Sequence, residues 1–218
     1  MAVLKMILLA NARKLGERCI AGIEPDTGKW IRPVKPGGGA LSLADICYQD
    51  GSHPKLLDIV RVPVINKEPL YYQPENWIVD EDIYWSRLGV VDQKLLPRYC
   101  FTERYIFFDQ NDRLAKYRCE QIGISYSLML VKPEKVIFRK TKSATNKPQL
   151  RALFCYNDIL YNLVVTDPEW ESRYAVAEDD DYPLRRECLF TISLGEAFEG
   201  CHYKLIAAVI EYQRGSPR

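Results

Sequence analysis

With 218 residues, 47% apolar and 27% charged side chains and a formal net charge of +1, the chain can bury a sizeable core and is not a uniformly basic coat for a polyanion. No apolar run approaches a membrane span. The apolar residues 1–10 are too short for a secretory leader and no small-residue cleavage site follows, so a cytoplasmic protein without membrane contact is expected. Seven scattered cysteines without a Cys-x-x-Cys pair suit free thiols in a reducing compartment. With only His53 and His202, a histidine metal site or a Ser-His-Asp triad is not expected, and neither metal nor cofactor is called for.

Strand signal dominates from the start. Residues 3–10, 18–24 and 29–34 are rich in Val, Ile and Leu and read as strands. Pro25-Asp26-Thr27-Gly28 is a turn, because Pro presets φ, Asp bonds its own backbone and Gly accepts positive φ. On the return strand, alternation places Trp30, Arg32 and Val34 on one face and Ile31 on the other. Pro33 cannot donate to a ladder, so this strand is expected to end there or lie at an edge. Residues 41–47 suggest one short helix with Ser42 as its cap, and 59–64 another strand. Gln73-Pro74-Glu75-Asn76 reads as a rigid polar elbow entering a helix over 80–96, on which Ile83, Leu88 and Val91 share a face. Further strands are expected at 127–131, 136–140, 149–156, 159–166, 188–194 and 203–212, with a tight hairpin at Tyr156-Asn157-Asp158-Ile159 and an Asx or Ser/Thr turn at Thr166-Asp167-Pro168-Glu169. The regular βαβ alternation is missing, so the fold class is mainly β, with barrels or a sandwich. A soft boundary near residues 97–103 divides the chain into domains 1–100 and 101–218.

The near-neutral total hides uneven charge. Residues 1–40 carry about +4 and residues 132–151 about +6, whereas 68–82 carry about −5 and 155–181 about −7. The basic segments either draw in a polyanion or pair with the acidic ones. Asn11, Arg13, Lys14 and Arg18 fall between the first two strands and are candidate phosphate contacts, or an ordinary exposed turn. Arg32 lies within an apolar strand and needs a partner, either internal, such as Glu75 or Asp58, or a bound anion. Trp30 is a stacking platform or a core residue. Gln73, Glu75 and Asn76 bond a ligand or tie down their loop. The acidic run 178–181 reads as a solvated loop, and Phe154, Tyr156, Tyr161 and Trp170 as groove or core rings.

Several motifs together resemble one family, the dual OB-containing domain proteins of bacteria. The matching pieces are Leu8-Leu9-Ala10-Asn11-Ala12-Arg13-Lys14, Arg18-Cys19-Ile20-Ala21-Gly22, Trp30-Ile31-Arg32-Pro33-Val34, Leu57-Asp58-Ile59-Val60 and Tyr72-Gln73-Pro74-Glu75-Asn76. In the second half they are Val165-Thr166-Asp167-Pro168, Ser193-Leu194-Gly195-Glu196 and Tyr203-Lys204-Leu205-Ile206-Ala207-Ala208. The resemblance spans about residues 4–212 and implies two small OB-type barrels packed together with a few short helices. OB barrels commonly bind oligonucleotides or other small polymers on one sheet face, which by analogy implies nucleic acid or a nucleotide as partner. Three readings follow. The first is a non-catalytic binder of nucleic acid or a nucleotide-like anion, through the N-terminal hairpin and its adjoining loops. The second is a metal-dependent nuclease or nucleotide hydrolase using Asp58, Glu75, Asp167 and Glu196, with Lys204 stabilising charge. The third is a protein-interaction adaptor docking a partner through the acidic segments.

Overall fold

The computed structural model describes residues 2–14, 16–143 and 145–211. They form two compact units, Met1–Leu95 with Gly123–Ser127 and Leu96–Ile122 with Leu128–Arg218. Each is built on a β-sheet.

The first unit begins with β1 (Ala2–Lys14), β2 (Glu17–Ile23) and β3 (Trp30–Val34), followed by β4 (Asp58–Lys67), β5 (Asn76–Val79) and β6 (Ser86–Val90). Its strands run in the order β1-β2-β3-β5-β4, and a further β1–β4 pairing closes the barrel, with β6 added outside β4. One long strand makes closure possible. The first half of β1 pairs with β4, from Ala2↔Val64 to Ile7↔Ile59, and the second half with β2, from Ile7↔Ile23 to Lys14↔Glu17. A bulge between Leu8 and Ala10 bends the strand from one partner to the other. Gly22 lies opposite that bend, where a Cβ would sit 2.2 Å from the Ile7 carbonyl oxygen; only glycine lets the two backbones approach so closely. The interior is filled by Met6, Leu8, Ile20, Ile31, Val60, Val62 and Trp85, among others.

The turn after β2 forms as expected, with Gly28 at φ 70° and its N–H bonded to the Glu24 carbonyl. Pro33 behaves differently from the expectation. β3 is an internal strand that continues to Val34, in parallel register with β5 from Arg32↔Asn76 to Val34↔Ile78. The missing N–H is tolerated because the antiparallel pairing with β2 covers only Gly22↔Ile31 and Ile23↔Trp30. The helix expected over 80–96 is also corrected. β6 occupies its middle and a 3-10 helix (Gln93–Tyr99) its end, while Ile83 and Leu88 are exposed. Ladder bonds to β4, from Asp58↔Val90 to Arg61↔Ser86, outweigh a helical pattern whose Ile83 and Leu88 stay exposed. Residues 41–47 shrink to one 3-10 turn (Ala44–Ile46), held where Ser42 N–H donates to Asp45 and Asp45 N–H to the Ser42 hydroxyl.

The second unit contains β7 (Arg113–Ala115), α1 (Lys116–Ile122), β8 (Leu128–Val131), β9 (Glu134–Lys142), β10 (Pro148–Tyr156), β11 (Ile159–Val165), α2 (Pro168–Arg173), β12 (Asp181–Pro183), β13 (Cys188–Phe198) and β14 (Cys201–Glu211). The path is β12-β9-β10-β11-β14-β13-β8, with β11 and β14 parallel and β7 on β14. It repeats the first barrel's order if β8 and β9 together stand for β1. β8 pairs with β13 and β9 with β10, and the strand is interrupted at Lys132-Pro133. Strict alternation in β10 sends Leu150, Ala152, Phe154 and Tyr156 inward, where Phe154 meets Phe190 edge-on at 5.1 Å. Trp170 of α2 stacks on Phe138 at 4.5 Å and donates its indole N–H to the Val209 carbonyl. No helix among the described residues is long and apolar enough to cross a membrane.

Candidate functional site

β1 extends past its expected end, so Asn11 and Arg13 are strand residues rather than loop residues. Asn11 is half-buried, with no hydrogen-bond partner for its side-chain oxygen among the described residues. The side chain of Lys14 lies outside the described residues. Arg13 is paired directly across the ladder with Arg18. Two like charges in that position repel each other and weaken the hairpin unless an anion lies between them. Neither guanidinium has an acidic partner among the described residues. Arg18 is held in place through its backbone, which exchanges two hydrogen bonds with Leu41 at 2.7 and 2.9 Å.

At the other end of β2 lies a cleft of about 330 Å³. Lys29 and Trp30 contribute from the start of β3, Lys67 from the end of β4, Glu75 from the loop before β5, and Ser125 and Tyr126 from the short segment that returns to this unit. Lys29 and Lys67 are exposed and have no ion-pair partner among the described residues. Trp30 is 9% exposed, so it forms a wall rather than an open stacking platform, and its indole N–H is buried without a partner.

Arg32, on the outer side of the barrel strand, is only 5% exposed and takes the internal option. Its Nη2 reaches Glu75 Oε1 at 3.3 Å and the Ser127 hydroxyl at 3.0 Å. The Ser127 hydroxyl also bonds Glu75 Oε1, and the Ser127 backbone N–H lies 3.4 Å from Oε2. A buried ion pair is tolerated only with such added hydrogen bonds. Asn76, in register with Arg32, is fully buried, and neither atom of its amide has a partner among the described residues. Gln73 is buried in the elbow, where its backbone exchanges two hydrogen bonds with Leu70. The elbow leads into a strand, not a helix.

A model of the dual OB-containing domain matches residues 4–209. The chain belongs to the dual OB-containing domain family. No match is found among curated proteins. Among solved structures, the tetrameric p202 HIN2 is similar at 8% identity, over 97% of this chain and 94% of that one, with a TM-score of 0.35.

In the second OB unit several basic residues are engaged, while Lys135, Lys142 and Lys147 are exposed with no ion-pair partner among the described residues. Arg139 forms a two-pronged pair with Asp181, Lys140 reaches the carbonyls of Ala175 and Ala177, Lys132 meets Glu187 at 3.6 Å, and Arg151 holds Asn162. Among the described residues, Arg139–Asp181 is the one ion pair that joins the basic segment 132–151 to the acidic segment 155–181. Tyr156 and Tyr161 are buried, and their hydroxyls donate to backbone carbonyls of Phe101, Glu103 and Asp109. Lys204 has no exposed side-chain surface. Burial lowers its pKa, opposed by Asp109, whose carboxylate and carbonyl accept from the ammonium at 2.9 and 2.8 Å. The carboxylates considered for a metal have other partners. Asp58 accepts from Tyr48, Arg87 and the Lys55 N–H. Asp167 Oδ1 caps α2 through the N–H groups of Glu169 and Trp170, and its Oδ2 accepts from the Val209 N–H; burial raises its pKa despite these bonds. Among the described residues, no three His, Cys, Asp or Glu side chains gather as a metal site.

Sequence reasoning missed the cleft's cations and its far wall. Lys29 could have been noticed as the basic residue directly after a tight turn. Ser125, Tyr126 and Ser127 carry no local signal, because they reach the first OB unit across a long excursion of chain.

Proposed function

We propose that the chain is a non-catalytic binding protein for nucleic acid or a nucleotide-like anion, engaged by its first OB barrel. The observation that carries this reading is Arg13 opposite Arg18 on the β1–β2 hairpin, two like charges in register with no ion-pair partner among the described residues. Lys29 and Lys67 add two more cations without ion-pair partners among the described residues, at the far end of β2, about 20 Å away along seven residues of strand. OB barrels commonly bind oligonucleotides, which supports the same reading by analogy. All seven cysteines are free thiols, in keeping with a cytoplasmic location.

Fluorescence anisotropy with labelled single- and double-stranded DNA and RNA, from low to physiological salt, tests it. Binding that falls steeply with salt and weakens about tenfold or more in Arg13→Ala/Arg18→Ala is expected. No binding at low salt, or a double variant that binds like the unaltered chain, overturns it.

A further inference from the structure

The cleft beside β3 holds charges of both signs. Lys29 and Lys67 stand exposed without acidic partners among the described residues, while Glu75 lines the same space. At about 330 Å³ it lies at the small end of the roughly 300–1,000 Å³ range of ligand pockets, which suits one nucleotide-sized group rather than a length of strand.

The Glu75 carboxylate is used unevenly. Oε1 accepts from Arg32 Nη2 at 3.3 Å and from the Ser127 hydroxyl. Among the described residues Oε2 accepts only the Ser127 backbone N–H, at 3.4 Å, longer than an ordinary N–H···O bond of about 2.7–3.2 Å. Each carboxylate oxygen has room for two donors, so Oε2 retains acceptor capacity. Arg32 and Ser127 hold the carboxylate in place. The cleft therefore calls for a ligand with a negative group at one end and hydrogen-bond donors at the other.

Among the bases, guanine alone carries two adjacent N–H donors on one edge, the ring N1–H and the exocyclic amino group. Adenine and cytosine place a ring-nitrogen lone pair beside their amino group, which a carboxylate repels. Uracil and thymine flank a single N–H with two carbonyl oxygens. Resting on the anion-binding reading of the first barrel, we propose that this cleft takes a guanine base, either of a free nucleotide or of a strand. Glu75 Oε2, whose contact to the Ser127 N–H is long, takes both N–H groups of the guanine edge in a forked contact, the half-buried Tyr126 ring forms a wall for the base, and Lys29 and Lys67 meet phosphate. Arg32 is a positioning residue that acts through Glu75.

Titration calorimetry of the full chain with GMP, IMP, AMP, CMP and UMP at low salt tests this. GMP is expected to bind about tenfold or more tightly than AMP, CMP or UMP. IMP, which lacks only the exocyclic amino group, measures the contribution of that donor on the unaltered chain and is expected to be several-fold weaker than GMP. Glu75→Gln is expected to collapse the preference, and Lys67→Ala to weaken every nucleotide while keeping the ranking. A guanine preference seen with oligonucleotides but not with GMP supports the assignment and makes a strand the source. Equal affinities for GMP, IMP and AMP overturn the guanine assignment and leave anion binding standing. No binding of any nucleotide or oligonucleotide overturns both.

Discussion

The two barrels solve the same closure problem in different ways. Each needs a strand that hydrogen-bonds one neighbour along its first half and another along its second. In the first barrel β1 stays continuous, bending at a bulge beside Leu9 where Gly22 lets the partner backbone come close. In the second, the chain breaks at Lys132-Pro133 and two shorter strands, β8 and β9, share the work. Charge is placed differently in the two. In the second barrel Arg139 pairs with Asp181 and Lys132 with Glu187, while the exposed Lys135, Lys142 and Lys147 have no ion-pair partner among the described residues. The first leaves Arg13, Arg18, Lys29 and Lys67 without acidic partners among the described residues. A net charge near zero therefore says little about either barrel; the distribution decides where an anion can dock.

The sharpest test of that divide uses thiols. Burial pushes the Cys188 thiol of β13 up to about 12, and Cys100 up to about 11. At pH 8 the thiolate of Cys188 is scarcer by about a thousandfold than that of an ordinary cysteine of pKa about 8.5. Cys19, half-buried on β2, should be alkylated at least ~10²-fold faster than Cys188, because the Cys188 thiolate is scarce and its side chain buried. Mass spectrometry of a time course checks this, and Cys188 should gain reactivity only as pH rises toward its own pKa. Comparable rates at pH 8 would show that the second barrel is not sealed there.

Next in size is Gly22→Ala, which drives a methyl into the Ile7 carbonyl and should cost the first barrel about 3 kcal/mol in urea unfolding. Asp167→Ala should cost the second about 2 kcal/mol, because it removes the cap of α2 and strands the Val209 N–H. For ligand binding, Arg13→Ala/Arg18→Ala should lose about tenfold in affinity. The matched change Arg139→Ala in the second barrel should alter affinity less than twofold on the order-of-magnitude scale of uninvolved surface positions. Equal losses from the two barrels would break the comparison. Pro133→Ala should have the smallest effect, under about 1 kcal/mol, because it mainly frees the unfolded chain.

Local patterning determined a good deal by itself. Runs rich in Val, Ile, Tyr and Phe marked ten strands, each with a counterpart among the described residues (residue 212 lies outside them), and Pro25-Asp26-Thr27-Gly28 specified its turn because only certain residues accept those backbone angles. Asp167-Pro168 declared a local turn, which proves to be the N-cap of α2. Eight short motifs, taken in order along the chain, pointed to the family that the match over residues 4–209 shows. Residues 80–96 were misread because their spacing satisfies a helix as well as an edge strand, and only the availability of β4 as a hydrogen-bond partner decides between them. The same limit governs the site. Arg32 announced its need for a partner, but the choice of Glu75 and Ser127 depended on two distant segments meeting at one strand. Which cations stay without acidic partners is a property of what folds back beside them, so only the tertiary structure brought Lys29 and Lys67 together at one cleft.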